Sequence, residues 1–345
     1  MKGKIILETG EIFEGNIIHG SGTVAGKLVF DTRVVGYEKV LTSPEYAGKI
    51  VCFAYPLIGN YGVCREDTES DTIYPAGIII SEYSEIHSNF RAECSLKEFL
   101  MESTVSLIEG VDTQHITEIV REDRSAWAGI ASGSAGLNSV LKQIKESRNT
   151  APGTRSEKDG NRKYPPLKKG RRYLAVIDLG LKKSEIAMLN TAGLELALLD
   201  DDTPKACEIL ESAAAIYVSS GSENAVTAEK TAELIRTVAG NIPVFGTGLG
   251  HIAAGLACGG EVSPENVNHY GVNQPVTDAR RGNCYITEQA HSMVLDRGSV
   301  SGIIKYVNVN DGTVEGLQDK TKKVVTTAFQ PTVENFRDFL SMIKE

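Results

Sequence analysis

Residues 244–260 read VFGTGLGHIAAGLACGG. An apolar run, a turn with three alternating glycines and a stretch of small residues spell a buried strand, a sharp bend and a tightly packed helix. The bend admits three readings: a phosphate cradle, a nucleophile elbow or only a tight turn. Gly246-Thr247-Gly248-Leu249-Gly250 follows a strand and opens a helix as a dinucleotide fingerprint would, but His251 stands where the last glycine belongs. No ribose-binding acid opens the next strand. An elbow needs glycines on either side of a central residue exposed above the sheet, and here that central residue is Gly248, which has no side chain.

Outward from this stretch the pattern is strand and helix in alternation. RYLAVIDLG (172–180), LELALL (194–199), AAIYVSSG (214–221) and NIPVFG (241–246) read as buried strands. KKSEIAMLNTAG (182–193), PKACEILES (204–212) and TAEKTAELIRTVAG (227–240) read as helices, two of them ended by glycine. This βαβα order predicts a doubly wound parallel sheet with ligands at the carboxyl ends of its strands, where SSGSEN and GTGLGH lie. The first part of the chain differs. KIILETG, EIFEGNII, KLVFDTRVV, KIVCFAYPLIGNYG and AGIIISEYS are short alternating segments between turn signals, followed by helix-like SLKEFLMES and HITEIVRED, so an α+β domain is expected there.

Between the two parts, residues 153–172 carry eight Lys or Arg against Glu157 and Asp159, with a Pro-Pro pair and almost nothing apolar. The expected organisation is therefore an N-terminal domain over 1–145, a basic flexible linker over 146–172 and a C-terminal α/β domain over 173–345. The chain has 345 residues, 41% hydrophobic and 23% charged, with a net charge of −9. That balance describes a globular protein and disfavours nucleic acid as a partner, since phosphate contacts need a basic face. No segment has the length of a membrane span and no signal peptide is read, so a cytoplasmic location without membrane contact is expected. The six cysteines show no ligand spacing, and neither a metal nor a cofactor is expected.

The elbow resembles that of the class I glutamine amidotransferases, G-x-C-L-G-H-Q, and the rest of the chain is similar to the small subunit of carbamoyl phosphate synthetase. The segments that carry this likeness are 28–63, HSNFR (87–91), GVDTQ (110–114), YLAVIDLGLKKSEIAML (173–189), YGVNQPV (270–276) and ITEQAH (286–291). They span nearly the whole chain outside 146–172. The resemblance implies an N-terminal small-subunit domain and a C-terminal amidotransferase domain, a large synthetase subunit or related ATP-dependent ligase as partner, and a place in pyrimidine or arginine biosynthesis.

It also implies a Cys–His–Glu triad, and the matching positions lack most of it. The nucleophile position is Gly248; where the family has F-Q-G-H-P-E this chain has Phe329-Gln330-Pro331-Thr332-Val333-Glu334, so the histidine is Thr332 and only Glu334 remains. The glutamine loop S-N-G-P-G-D-P becomes Ser219-Ser220-Gly221-Ser222-Glu223-Asn224-Ala225. The serine of L-T-D-P-S is Glu45, the glutamine after G-H is Ile252, and Q-N-H-G-F is Gln289-Ala290-His291-Ser292-Met293. The former glutamine pocket is thus expected from Glu45, Gly221, Glu223, Leu249, His251, Ile252, Ala290, His291, Ser292 and Met293. Losing a catalytic nucleophile or base costs on the order of 10⁴- to 10⁶-fold in turnover. The expectation is a glutaminase-inactive scaffold or regulatory subunit; the alternative is a small-molecule module in which Glu45 and Glu223 favour a cationic ligand. Repair by Cys258, Cys284 or His251 finds no assembled base and orienter.

Overall fold

The computed structural model describes residues 1–101, 103–133, 135–149, 172–200, 203, 205–263 and 267–343. Backbone contacts divide the chain into Met1–Gly153 and Thr154–Glu345. Most of the expected linker lies outside the described residues.

The first unit contains β1 (Lys2–Leu7), β2 (Ile12–His19), β3 (Thr23–Asp31), α1 (Tyr37–Thr42), β4 (Ile50–Phe53), β5 (Leu57–Ile58), β6 (Gly77–Ile79), β7 (Glu82–Tyr83), α2 (Leu96–Leu100), β8 (Ser106–Glu109), α3 (Thr113–Glu122), β9 (Trp127–Ser132) and α4 (Leu137–Asn149). Seven strands close a barrel in the order β1-β2-β8-β6-β4-β3-β9, which leaves no edge; β5 and β7 pair apart from it. Its interior is aliphatic, with Ile5, Leu28, Ile50, Ile108 and Ile130 buried together. Ser95 and Glu98 form a capping box on α2, and Asp112 caps α3, where the sequence predicts both helices.

The expected linker boundary at 146 is corrected, because α4 runs through Asn149. Val140 and Ile144, one turn apart, are buried against the barrel, while Ser147 Oγ donates to the Ala25 carbonyl (3.1 Å) and Arg148 pairs with Glu8 (2.8 Å). Lys142, Lys145, Glu146 and Arg148 form the exposed face of this amphipathic helix.

The second unit contains β10 (Tyr173–Ile177), α5 (Lys183–Asn190), β11 (Glu195–Leu199), α6 (Ala206–Glu211), β12 (Ala215–Val218), α7 (Ala225–Val238), β13 (Val244–Thr247), α8 (Leu249–Ala257), β14 (His269–Asp278), β15 (Cys284–His291), β16 (Ile304–Asn308), β17 (Val314–Asp319), β18 (Val324–Thr327) and α9 (Val333–Ile343). One nine-stranded sheet runs β11-β10-β12-β13-β18-β17-β16-β14-β15. The first five are mutually parallel, as the βαβα order predicts. Alternate strand residues face opposite layers: Ile177, Val218 and Val244 pack with Ala232, Ile235 and Ala253 of α7 and α8, whereas Val176, Tyr217 and Phe245 pack with Leu189 of α5 and Phe336 and Phe339 of α9. Both faces are covered, which is why these strands are apolar throughout.

The other four strands are antiparallel and extend the five-stranded parallel core. The reason is connection length. Residues 279–283, 309–313 and 320–323 are too few to carry the crossover that a parallel pair requires.

Candidate functional site

The turn at the carboxyl end of β13 has the form of an elbow. Gly248 holds φ +51° and ψ −114° and donates its amide to the Thr327 carbonyl (3.0 Å). That conformation is one that side-chain-bearing residues rarely adopt. Its flanking glycines are required sterically: a Cβ on Gly246 would lie 2.3 Å from the Gly250 carbonyl oxygen, and one on Gly250 2.3 Å from that of Val218. The helix that follows is buried along its whole length, which explains its run of Gly and Ala. A Cβ on Gly248 would lie 2.1 Å from Ser220 Oγ and 2.9 Å from Ser220 Cβ. The serine occupies the space a nucleophile's side chain would enter.

Beside Gly248 is a cavity of only about 10 Å³, lined by Ser220, Gly221, Glu223, Leu249, Ile252, Ala290, His291, Met293 and Ala328. Seven of the ten residues predicted for the former pocket therefore meet around the elbow. A cavity of this size holds about one water, far from the ~300 Å³ or more of a ligand pocket. Glu223 reaches across it. Its carboxylate accepts from the Ser292 amide, the Ser292 hydroxyl and the Met293 amide, each at 2.5 Å. Gly221 permits the loop its close approach, since a Cβ there would sit 2.1 Å from the Leu179 carbonyl oxygen.

Ser292 adjoins the cavity through Glu223, whereas Thr332, Glu334 and Glu45 are placed by other contacts. Thr332 and Glu334 border a separate 20 Å³ cavity with Tyr306, Phe329 and Asp338. Thr332 is the N-cap of α9: its hydroxyl accepts the Asn335 amide (3.3 Å), while Asn335 Oδ1 accepts the Thr332 amide (3.0 Å). Glu45 belongs to the first unit, buried in the one-turn helix Pro44–Tyr46, where its carbonyl accepts from Lys49 Nζ (2.5 Å). Every residue lining the cavity at Gly248 comes from the second unit. Burial pushes the Cys258 thiol up to about 11, and Cys284 is exposed on β15.

His251 lies under the elbow, fully buried, with Nδ1 2.7 Å from Thr326 Oγ1. Burial drives its pKa down to about 4, against the attraction of Glu315. Its neighbours form a polar cluster in the antiparallel half of the sheet. His269 Nδ1 is 3.2 Å from Glu315 Oε1, His269 Nε2 is 2.8 Å from Asp311 Oδ2, and His291 Nε2 is 3.2 Å from Glu315 Oε2. Burial opposes the charge on His269, Asp311 and Glu315, yet the pairs outweigh it. The imidazoles of His291 and His269 hold Glu315 well below the usual carboxylate range, and the two acids raise His269 to about 9. Asp311 is held down to about 2 by His269 and Thr313. Nothing in the spacing of residues 269, 291 and 315 announces this cluster; the register His269↔His291 of β14 and β15 creates it.

The chain matches two family models: the carbamoyl-phosphate synthase small chain, CPSase domain, over residues 5–130, and the glutamine amidotransferase class-I domain over 175–335. It is 34% identical to the carbamoyl phosphate synthase small chain of Bacillus thuringiensis subsp. konkukian, covering 100% of this chain and 96% of that protein. It is 32% identical to the carbamoyl phosphate synthase pyrimidine-specific small chain of Bacillus subtilis, covering 96% of this chain and 91% of that one. Among solved structures it is similar to a glutamine amidotransferase from Thermotoga maritima, with a TM-score of 0.37, 15% identity, and 50% of this chain and 83% of that one covered. Among the described residues no helix is long and apolar enough to cross a membrane.

Proposed function

Since the chain belongs to the carbamoyl phosphate synthase small-chain family, we propose that it is a member without glutaminase activity, serving as scaffold or regulatory subunit of an ammonia-using carbamoyl phosphate synthase or a related ATP-dependent ligase. The observation that carries this reading is the state of the elbow. A thiolate must attack the glutamine amide, an imidazole must activate it, and the substrate must reach both. Gly248 offers no thiol, Ser220 fills the space beside it, and Thr332 caps a helix in place of the imidazole. The cavity of about 10 Å³ has no room for glutamine, which also counts against a ligand module in the same place.

The partner is a large synthetase subunit, as the small-chain designation of the relatives implies, and nitrogen enters the complex as free ammonia. The test pairs the purified chain with the large subunit from the same source. Carbamoyl phosphate should form with bicarbonate, ATP and ammonium chloride, and the rate with glutamine should be lower by at least ~10⁴-fold. Glutamate release from glutamine at a rate matching carbamoyl phosphate formation contradicts the loss of activity. Failure of the two chains to associate contradicts the scaffold role.

A further inference from the structure

The polar cluster in the antiparallel half of the sheet has the composition of a metal centre. His269, His291 and Glu315 come from β14, β15 and β17, all three buried, and each presents a ligand atom within 4.8 Å of the others. We propose that these three residues bind one divalent first-row transition cation, of the zinc class, with Asp311 orienting His269.

The distances carry the argument. Ligands about 2.0–2.2 Å from a tetrahedral zinc stand roughly 3.3–3.5 Å apart. The two His–Glu separations are both 3.2 Å, one to each oxygen of Glu315, and all the ligand atoms lie within 4.8 Å of one another, so the side chains close in to bring all three onto one ion. The donor set, two imidazoles and one carboxylate, leaves an open coordination position, as in zinc sites with three protein ligands. Asp311 supplies the support such sites use, since its carboxylate sits 2.8 Å from His269 Nε2, the ring nitrogen that faces away from Glu315. A carboxylate behind a ligating histidine fixes the tautomer and raises the ligand's basicity.

Proton accounting agrees. Without a cation, His269 has an acid at each ring nitrogen and must carry two protons to donate to both. In the metal-bound form the protons that His269 Nδ1 and His291 Nε2 direct at Glu315 leave those atoms to bulk water, the ion bonds to both nitrogens and Glu315 in their place, and the rings stay neutral with His269 Nε2–H on Asp311 and His291 protonated at Nδ1. The Asp311 side chain is 19% exposed, which brings the cluster to the surface at that end and offers the ion a route in.

The test uses the full-length chain, stripped with chelator and desalted. Zn²⁺ should be retained at one ion per chain after a second desalting and should raise Tm over the stripped protein. Co²⁺ should give visible d–d absorption without a thiolate charge-transfer band, which separates this site from the six cysteines. Glu315→Gln should abolish retention. Asp311→Asn leaves the three ligands in place and should weaken affinity about 10- to 100-fold, so it carries the test if Glu315→Gln fails to fold. A chain that emerges metal-free from excess Zn²⁺ with unchanged Tm overturns the assignment, as does stoichiometric binding that Asp311→Asn leaves intact. The assignment is independent of the elbow's lost activity: a metal-free chain would leave that reading standing.

Discussion

Gly248 and Ser220 are a matched pair. The backbone keeps the φ of +51° that an elbow imposes, and the serine side chain stands where a substituent on Gly248 would project. Gly248→Cys therefore adds both a positive-φ penalty and a steric clash, and should destabilise the protein by roughly 1–3 kcal/mol. Ser220→Gly in the same chain removes the clash but not the backbone strain. A double-mutant cycle followed by urea unfolding should show a favourable coupling above about 0.5 kcal/mol between the two substitutions. A Gly248→Cys chain as stable as the parent would contradict this packing. Neither variant should gain glutaminase activity, because no imidazole stands at position 332.

Among the elements, α9 shows what Thr332 does in the fold. Thr332 and Asn335 close a reciprocal cap on a helix whose Phe336 and Phe339 sit in the core. Thr332→Ala should cost about 1 kcal/mol, visible as a lower urea midpoint at unchanged m-value. The same scale explains what could be read from sequence. The parallel strands and their helices were legible because apolar runs, glycine stops and a 3.6-residue period agree locally. The end of helix α4 was not, since the residues after Ile144 are polar and charged and resemble a linker. The elbow was legible from its glycines, and motif order named seven of the residues that line the small cavity beside it. Ser220's role depends on a loop folding over Gly248, and the His269–His291–Glu315 cluster depends on strand register. Neither is local in the chain.

For the molecule as a whole, the buried histidine beneath the elbow sets an acid limit on stability. His251 has a folded pKa of about 4 against an ordinary 6.5 in the unfolded chain. Above pH 6.5 both states hold it neutral. As the pH falls from 6.5 towards 4, the unfolded chain takes up a proton that the folded chain refuses, so stability drops across that window by on the order of 3 kcal/mol. Glu315 and His291 are the titratable neighbours that bear on it. Chelator-treated wild type and His251→Asn, compared by urea unfolding between pH 7 and pH 4, should converge as acid removes the wild type's advantage. Parallel pH curves would show that His251 does not titrate as described.

Glu223 bears on the direction in which such a protein can change. Its carboxylate holds the main-chain amides of Ser292 and Met293, tying the loop after β12 to the segment after β15. A substitution that clears it from the cavity leaves buried donors without an acceptor before any substrate is there to replace it. With Ser220 opposing a side chain at Gly248, each single substitution towards an open, thiol-bearing elbow is a loss on its own. Only several changes made together would be rewarded. The remodelled elbow acts as a one-way gate in the sequence space around this fold.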